Sequence, residues 1–157
     1  LQPDQWILDA GGGTGRISAS LSGEGRKIFI VDLSFQMLRQ AFRKNGLLCS
    51  TCDVRLLPFL DKTFDRIIIV DAFHHFADQP IALNELWRVL RPGGMLMIEE
   101  PDISHFSVKL IALLEKALLM QSTFLKSSEL EYLVGFYQPS KVMVYNENYS
   151  YWLMAIK

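Results

Sequence analysis

The stretch WILDAGGGTGRIS, Trp6 to Ser18, constrains this chain more than any other. Four glycines fall between Gly11 and Gly15, directly after a short apolar run. Glycine reaches backbone conformations closed to other residues but loses the most conformational entropy on folding, so a tight turn alone does not call for four of them. A strand, a glycine turn and a helix N-terminus together make a place where backbone approaches a ligand and unpaired N–H groups meet its polar or negative atoms. KIFIVD, Lys27 to Asp32, is a second apolar run, and a strand, a short helix and a strand fit in the span. The segment reads as a βαβ unit.

The alternation continues downstream. Ser34 can cap a helix whose apolar positions Phe35, Leu38, Ala41 and Phe42 share one face, with Arg43 and Lys44 at its negative end before Asn45 and Gly46. GLLCST supplies a third strand. FDRIIIVDAF, Phe64 to Phe73, contains a run of β-branched aliphatics, the pattern of a parallel strand covered on both faces, so helices are expected on both sides of the sheet. Pro80 opens a helix carrying Ile81, Leu86, Trp87 and Leu90, stopped by RPGG ahead of the strand MLMIEE. In the tail, KVMVY and YSYWLMAI are separated only by Asn146, Glu147 and Asn148, which suits a hairpin turn and not a crossover. The expected fold is α/β: a Rossmann-like three-layer sandwich with a seven-stranded, mostly parallel sheet and an antiparallel last strand, all in one domain over residues 1–157.

Bulk properties narrow the function. Sixteen basic and 17 acidic residues give a net charge of −1 with no basic run, which argues against nucleic acid as a partner. No apolar stretch reaches the roughly 18 residues of a membrane span, and the first residues lack the pattern of a signal peptide, so a cytoplasmic, non-spanning protein is expected. Leu1 is not a methionine and little chain precedes the first strand, so an upstream segment is expected. Cys49 and Cys52 fall at a strand end, where positions three apart point to opposite faces, so they read as two reduced thiols and not as a redox or zinc pair.

The glycine spacing bears on the ligand. The dinucleotide fingerprint places glycines at its first, third and sixth positions. Counting from Gly11, the sixth position is Arg16 and the third glycine arrives early at Gly15, giving GxGxG. With that loop, the acidic strand end VDLSFQML, the segment CDVRLLPFLDKTFD and the segment DAFHHFADQPIALNELWRVLRPGG, the sequence resembles a class I S-adenosylmethionine-dependent methyltransferase, nearest the ubiquinone/menaquinone-biosynthesis type of small-molecule methyltransferases. The resemblance runs strongly from Trp6 to Glu100 and loosely beyond, and the reversed final strand accords with it.

Carried over position by position, the resemblance implies that Gly11, Gly13 and Gly15 leave room for the methionine and ribose parts of S-adenosyl-L-methionine, with Asp9 beneath the loop. Asp32 would accept hydrogen bonds from both ribose hydroxyls, a task for a carboxylate with two oxygens. Met37 would line the adenine, Asp53 with the backbone of Val54 would meet its amino edge, and Asp71 would lie near the methionine end. Methyl transfer is an in-line displacement that needs alignment and exclusion of water more than a catalytic side chain. A phenol, hydroquinol or enol carbon as acceptor would be helped by a base, and His74 and His75 follow the fourth strand where the acceptor should lie, with no ground in the sequence to choose between them. Two adjacent histidines without a third ligand do not make a metal site. The acids of EEPD, Glu99 to Asp102, border the same cleft and read as solvated or capping.

An inserted segment at about 103–126 carries the helix VKLIALLEKALLMQ, with Lys109, Glu115 and Lys116 leaving most of its circumference apolar. Three uses fit that face: core packing, a lid over an apolar acceptor, or a homodimer interface. The family commonly builds its acceptor pocket from such an insertion together with helices before the first strand, and those N-terminal cap helices are missing from this sequence. The expected function is methyl transfer from S-adenosylmethionine to a small, hydrophobic or aromatic acceptor. The alternatives are a regulatory or assembly domain that binds the cofactor without turnover, and an NAD-linked oxidoreductase.

Overall fold

In the computed structural model, which describes residues 4–23, 25–44, 46–117 and 122–157, the strands are β1 (Trp6–Ala10), β2 (Lys27–Asp32), β3 (Leu47–Thr51), β4 (Phe64–Val70), β5 (Leu90–Pro101), β6 (Lys141–Glu147) and β7 (Ser150–Ile156). They form one sheet in the order β3-β2-β1-β4-β5-β7-β6. The pairs β1–β2, β2–β3, β1–β4 and β4–β5 are parallel, while β7 runs antiparallel to both β5 and β6. The hairpin is tighter than its spacer suggests: Asn146 and Glu147 belong to β6, and the turn is Asn148 and Tyr149, with Asn148 in the left-handed region at φ 51°.

Strand periodicity divides the core between the two faces of the sheet. Along β4, Ile67 and Ile69 join Leu8, Phe64, Leu96 and Leu153 on one side, and Ile68 joins Ile7, Ile28 and Ile30 on the other. Helix α3 (Gln79–Val89) covers the first side with Ala82, Leu83, Leu86 and Val89, and α5 (Ser127–Gly135) adds Leu130 and Val134. Helix α1 (Arg16–Leu21) and helix α2 (Phe35–Ala41) cover the second, the latter with Leu38 and Ala41. This is the three-layer α/β sandwich that the alternating elements imply.

Local faces differ in part from the sequence reading. On α2 only Leu38 and Ala41 are buried; Phe35 is 64% and Phe42 75% exposed, because α2 lies beside the edge strand β3, where no further strand covers its outer flank. The helix ends at Ala41, so Arg43 and Lys44 lie past its last turn, and Lys44 Nζ instead donates to the Thr14 carbonyl at 2.8 Å. Asn45 lies outside the described residues. On α3 the buried face runs through Ala82, Leu83, Leu86 and Val89, leaving Ile81 half exposed. Helix α4 (Phe106–Ala117) falls in the insertion, and Leu118–Gln121 lie outside the described residues, as do the side chains of Glu115 and Lys116. Val108 is buried, whereas Phe106, Leu110, Leu113 and Leu114 are exposed, so core packing does not account for these four described side chains.

Candidate active site

The topology reverses between β1 and β4: from β1 the chain order runs outward through β2 and β3 on one side and through β4 and β5 on the other. Crevices at such a switch point, beyond the carboxyl ends of parallel strands, are where open α/β sheets bind ligands. A cavity of about 460 Å³ opens there. It brings together Gly11 and Gly13 from the loop after β1, Asp32 to Ser34 from the end of β2, Met37 from α2, Cys52 to Val54 after β3, and Asp71, Ala72 and His75 to Ala77 after β4.

Backbone geometry explains the glycines one by one. Gly11 sits at φ 74°, and a Cβ there would lie 2.7 Å from the Ala72 Cβ and 3.3 Å from the Phe76 ring. Gly13, at φ 52°, would bring a Cβ within 3.3 Å of the Met37 sulfur. Bare backbone therefore faces the cavity. Gly15 differs: it precedes α1 at φ 68°, it does not line the cavity, and a Cβ on it would meet Ile30, Ala41 and Leu47 at 2.9 to 3.2 Å. Its lack of a side chain serves close packing of the loop on the sheet and α2.

Asp32 anchors the loop. Its Oδ2 accepts the Gly13 N–H at 3.0 Å and its Oδ1 accepts the Ser34 N–H at 2.7 Å, and the carboxylate borders the cavity. Asp53 borders it too, but is held by Arg55 at 2.6 Å, and that guanidinium keeps the Asp53 carboxyl below its usual range. Asp71 reaches the cavity from a left-handed backbone conformation at φ 53°. Burial raises the thiols of Cys49 and Cys52, with the Asp53 charge adding to the effect on Cys52, so neither is a poised nucleophile; both are free. Among the described residues no three candidate ligands converge on a metal position.

The two histidines occupy different environments. They belong to a 3-10 turn, Phe73–His75, which places consecutive side chains about 120° apart. His75 lines the cavity, with Nδ1 3.0 Å from Ser122 Oγ. His74 is buried; its Nδ1 lies 2.8 Å from Glu100 Oε2 and its ring stacks on Phe124 at 4.3 Å. Glu100, one of the EEPD acids that read as solvated or capping, is not solvated. It is 2% exposed and gathers the backbone N–H groups of Ala72, Phe73 and His74. The only signal in the sequence was its place at the end of a central strand.

Asp9 lies beneath the loop, away from the cavity. It is 2% exposed, accepts Ser18 Oγ at 2.6 Å, and burial pushes its pKa from 3.8 up to about 6, opposed by the Ser18 hydrogen bond and assisted by the charge of Asp32. An acid whose folded pKa lies above its unfolded value contributes stability that is present at low pH and is lost as pH rises, here between about 4 and 6. Asp9→Asn removes that titration. Urea unfolding at pH 4 and pH 7 should show the variant gaining on the wild type by about 2 kcal/mol across this window. A difference independent of pH would show that Asp9 is not held as a desolvated acid.

Comparison with known proteins accords with this geometry. A family model described as a methyltransferase domain matches residues 8–98. The chain is 36% identical over 123 residues to the ubiquinone/menaquinone biosynthesis C-methyltransferase UbiE of Escherichia coli O1:K1, an alignment covering 72% of this chain and 47% of that protein. The chain thus spans about half the length of the curated relatives it matches. Among solved structures, a SAM-dependent methyltransferase from Thermotoga maritima has the same fold at a TM-score of 0.84 and 22% identity, over 100% of this chain and 84% of that one. Phosphoethanolamine N-methyltransferase 2 from Haemonchus contortus, in complex with S-adenosyl-L-methionine, superposes at 0.83 and 19% identity over 100% and 49% of the two chains.

Proposed function

The chain belongs to the methyltransferase domain family, and from that membership we propose that it moves a methyl group from S-adenosylmethionine to a small apolar or aromatic acceptor. The observation that carries the reading is the convergence of Gly11, Gly13, Asp32, Met37, Asp53, Val54 and Asp71 on one cavity at the switch point. The residues present fit the cofactor: the loop offers bare backbone where a Cβ would fill the space, and a carboxylate stands beside it. Asp32 would hold the ribose diol, Gly11 and Gly13 the adjoining backbone-facing side, Met37, Asp53 and Val54 the adenine, and Asp71 the methionine end. When bound, the cofactor supplies an electrophilic methyl group on a sulfonium.

The chain's own contribution is to orient the acceptor and exclude water. His75 is the general base of this reading. With its proton on Nδ1, donated to Ser122 Oγ, Nε2 is the basic atom. The wall of Ala72, Phe76 and Ala77 is apolar, and the exposed face of α4, acting as a lid, would extend it. An aromatic acceptor also accords with the name of the UbiE relatives, a C-methyltransferase of ubiquinone and menaquinone biosynthesis. Among the described residues no helix is long and apolar enough to cross a membrane.

Calorimetric titration tests the cofactor reading. S-adenosylmethionine and S-adenosylhomocysteine should bind in the micromolar range, about −8 kcal/mol at 1 μM, and NADH should not bind measurably. Tight NADH binding with none for the other two would replace methyl transfer by hydride transfer. Release of S-adenosylhomocysteine across a panel of quinols, phenols and amines then separates an enzyme from a domain that binds without turnover.

A further inference from the structure

We infer that Glu100 is a positioning residue for the cleft, holding the turn after β4 so that His75 and the wall opposite the glycine loop face the cavity; this role rests on the cofactor reading above. One buried carboxylate makes four contacts. Oε1 accepts the N–H groups of Ala72 at 3.2 Å and Phe73 at 2.8 Å, and Oε2 accepts the N–H of His74 at 3.2 Å and meets His74 Nδ1 at 2.8 Å. Successive N–H groups converging on one anion form a nest, and bonds to an ionised acceptor are stronger than neutral ones. A carboxylate taken out of water is costly unless such partners compensate it. The cost here is met by donors of the turn itself.

That turn needs holding. It leaves β4 through Asp71 at φ 53°, a conformation that a residue with a side chain adopts only when its surroundings enforce it. On one side of the turn, Ala72 and Phe76 stand against the position where Gly11 would carry a Cβ, so a shift of the turn moves the cavity wall against the loop. On the other side, the Thr123 N–H donates to the His74 carbonyl at 2.8 Å, Gln79 Nε2 donates to the carbonyls of Thr123 and Phe73, and the His74 ring stacks on Phe124. The segment after α4, which also brings Ser122 to His75, is thereby fastened to the same knot. Glu100 couples the wall on the glycine-loop side to the segment on the α4 side.

The test uses Glu100→Gln in the full chain. The amide has the same shape, but it offers one acceptor oxygen and turns an NH2 group toward N–H donors, so part of the nest loses its partner. S-adenosylhomocysteine binding should weaken about tenfold. Val89→Ala, a cavity in α3 outside the cleft, serves as a control for lost stability and should leave the dissociation constant within twofold of wild type. A folded Glu100→Gln chain with wild-type affinity overturns the role. Wild-type chain that does not bind S-adenosylhomocysteine overturns the cofactor reading instead, and the role with it. If Glu100→Gln does not fold, the wild type decides: the amides of Ala72, Phe73 and His74 should exchange slowly with solvent and shift when S-adenosylhomocysteine is added. Fast exchange or unmoved resonances overturn the role.

Discussion

Asp32→Ala should abolish measurable S-adenosylhomocysteine binding while the chain stays folded. A carboxylate offers about four acceptor directions. Two are used within the protein, by Gly13 N–H at 3.0 Å and Ser34 N–H at 2.7 Å, and the group borders the cavity with the remainder. A hydrogen bond to a charged group contributes roughly 1.5 to 3 kcal/mol, so losing both bonds to a ribose diol amounts to about 3 to 6 kcal/mol, or a factor of roughly 10² to 10⁴ in affinity. The alanine also releases the glycine loop from its anchor, which adds to the loss. Asp32→Asn should fall between, because its single carbonyl oxygen serves only one of the two backbone donors well. Calorimetry measures the affinities, and circular dichroism with thermal unfolding checks that the sheet is intact. Affinity within tenfold of wild type in Asp32→Ala would mean that the diol is held elsewhere.

The contrast between legible and illegible features follows the reach of the signals. Strand identities were legible because they rest on neighbours: Ile67 to Val70 read as a strand covered on both faces, and the sheet buries Ile67 and Ile69 on one side and Ile68 on the other. The reversed tail was legible from a hairpin too short for a crossover. Burial within helices was less so. Phe35 and Phe42 are as apolar as Leu38 but look outward, since exposure there depends on α2 lying at the sheet edge, which local periodicity does not encode. His74 and His75 could not be separated, because one step along a 3-10 turn decides which ring meets Glu100 and which meets the cavity. Glu100 itself works on residues 26 to 28 positions earlier, and only the parallel pairing of β4 with β5 brings them together.

Gly15 shows the same principle with a large energetic consequence: Gly15→Val should destabilise the fold by about 2 to 5 kcal/mol. Two costs add. A β-branched residue at φ 68° pays roughly 1 to 2 kcal/mol for the left-handed conformation. Its Cβ would stand 2.9 Å from Ile30, 3.0 Å from Ala41 and 3.2 Å from Leu47, and forcing methyl groups into a packed core costs typically about 1 to 3 kcal/mol more. Gly46→Val isolates the first cost, since Gly46 has φ 82° and nothing lies within 4 Å of its Cβ position. Urea unfolding of both variants should therefore show a markedly larger loss at Gly15; equal losses would mean that the three neighbours yield and that backbone strain alone sets the requirement. The two anchors of the loop then separate by phenotype. Asp32 faces the cavity, so its loss should remove binding and spare the fold, whereas Gly15 faces Ile30, Ala41 and Leu47, so its loss should remove the packing on which the loop rests and take binding away only through stability.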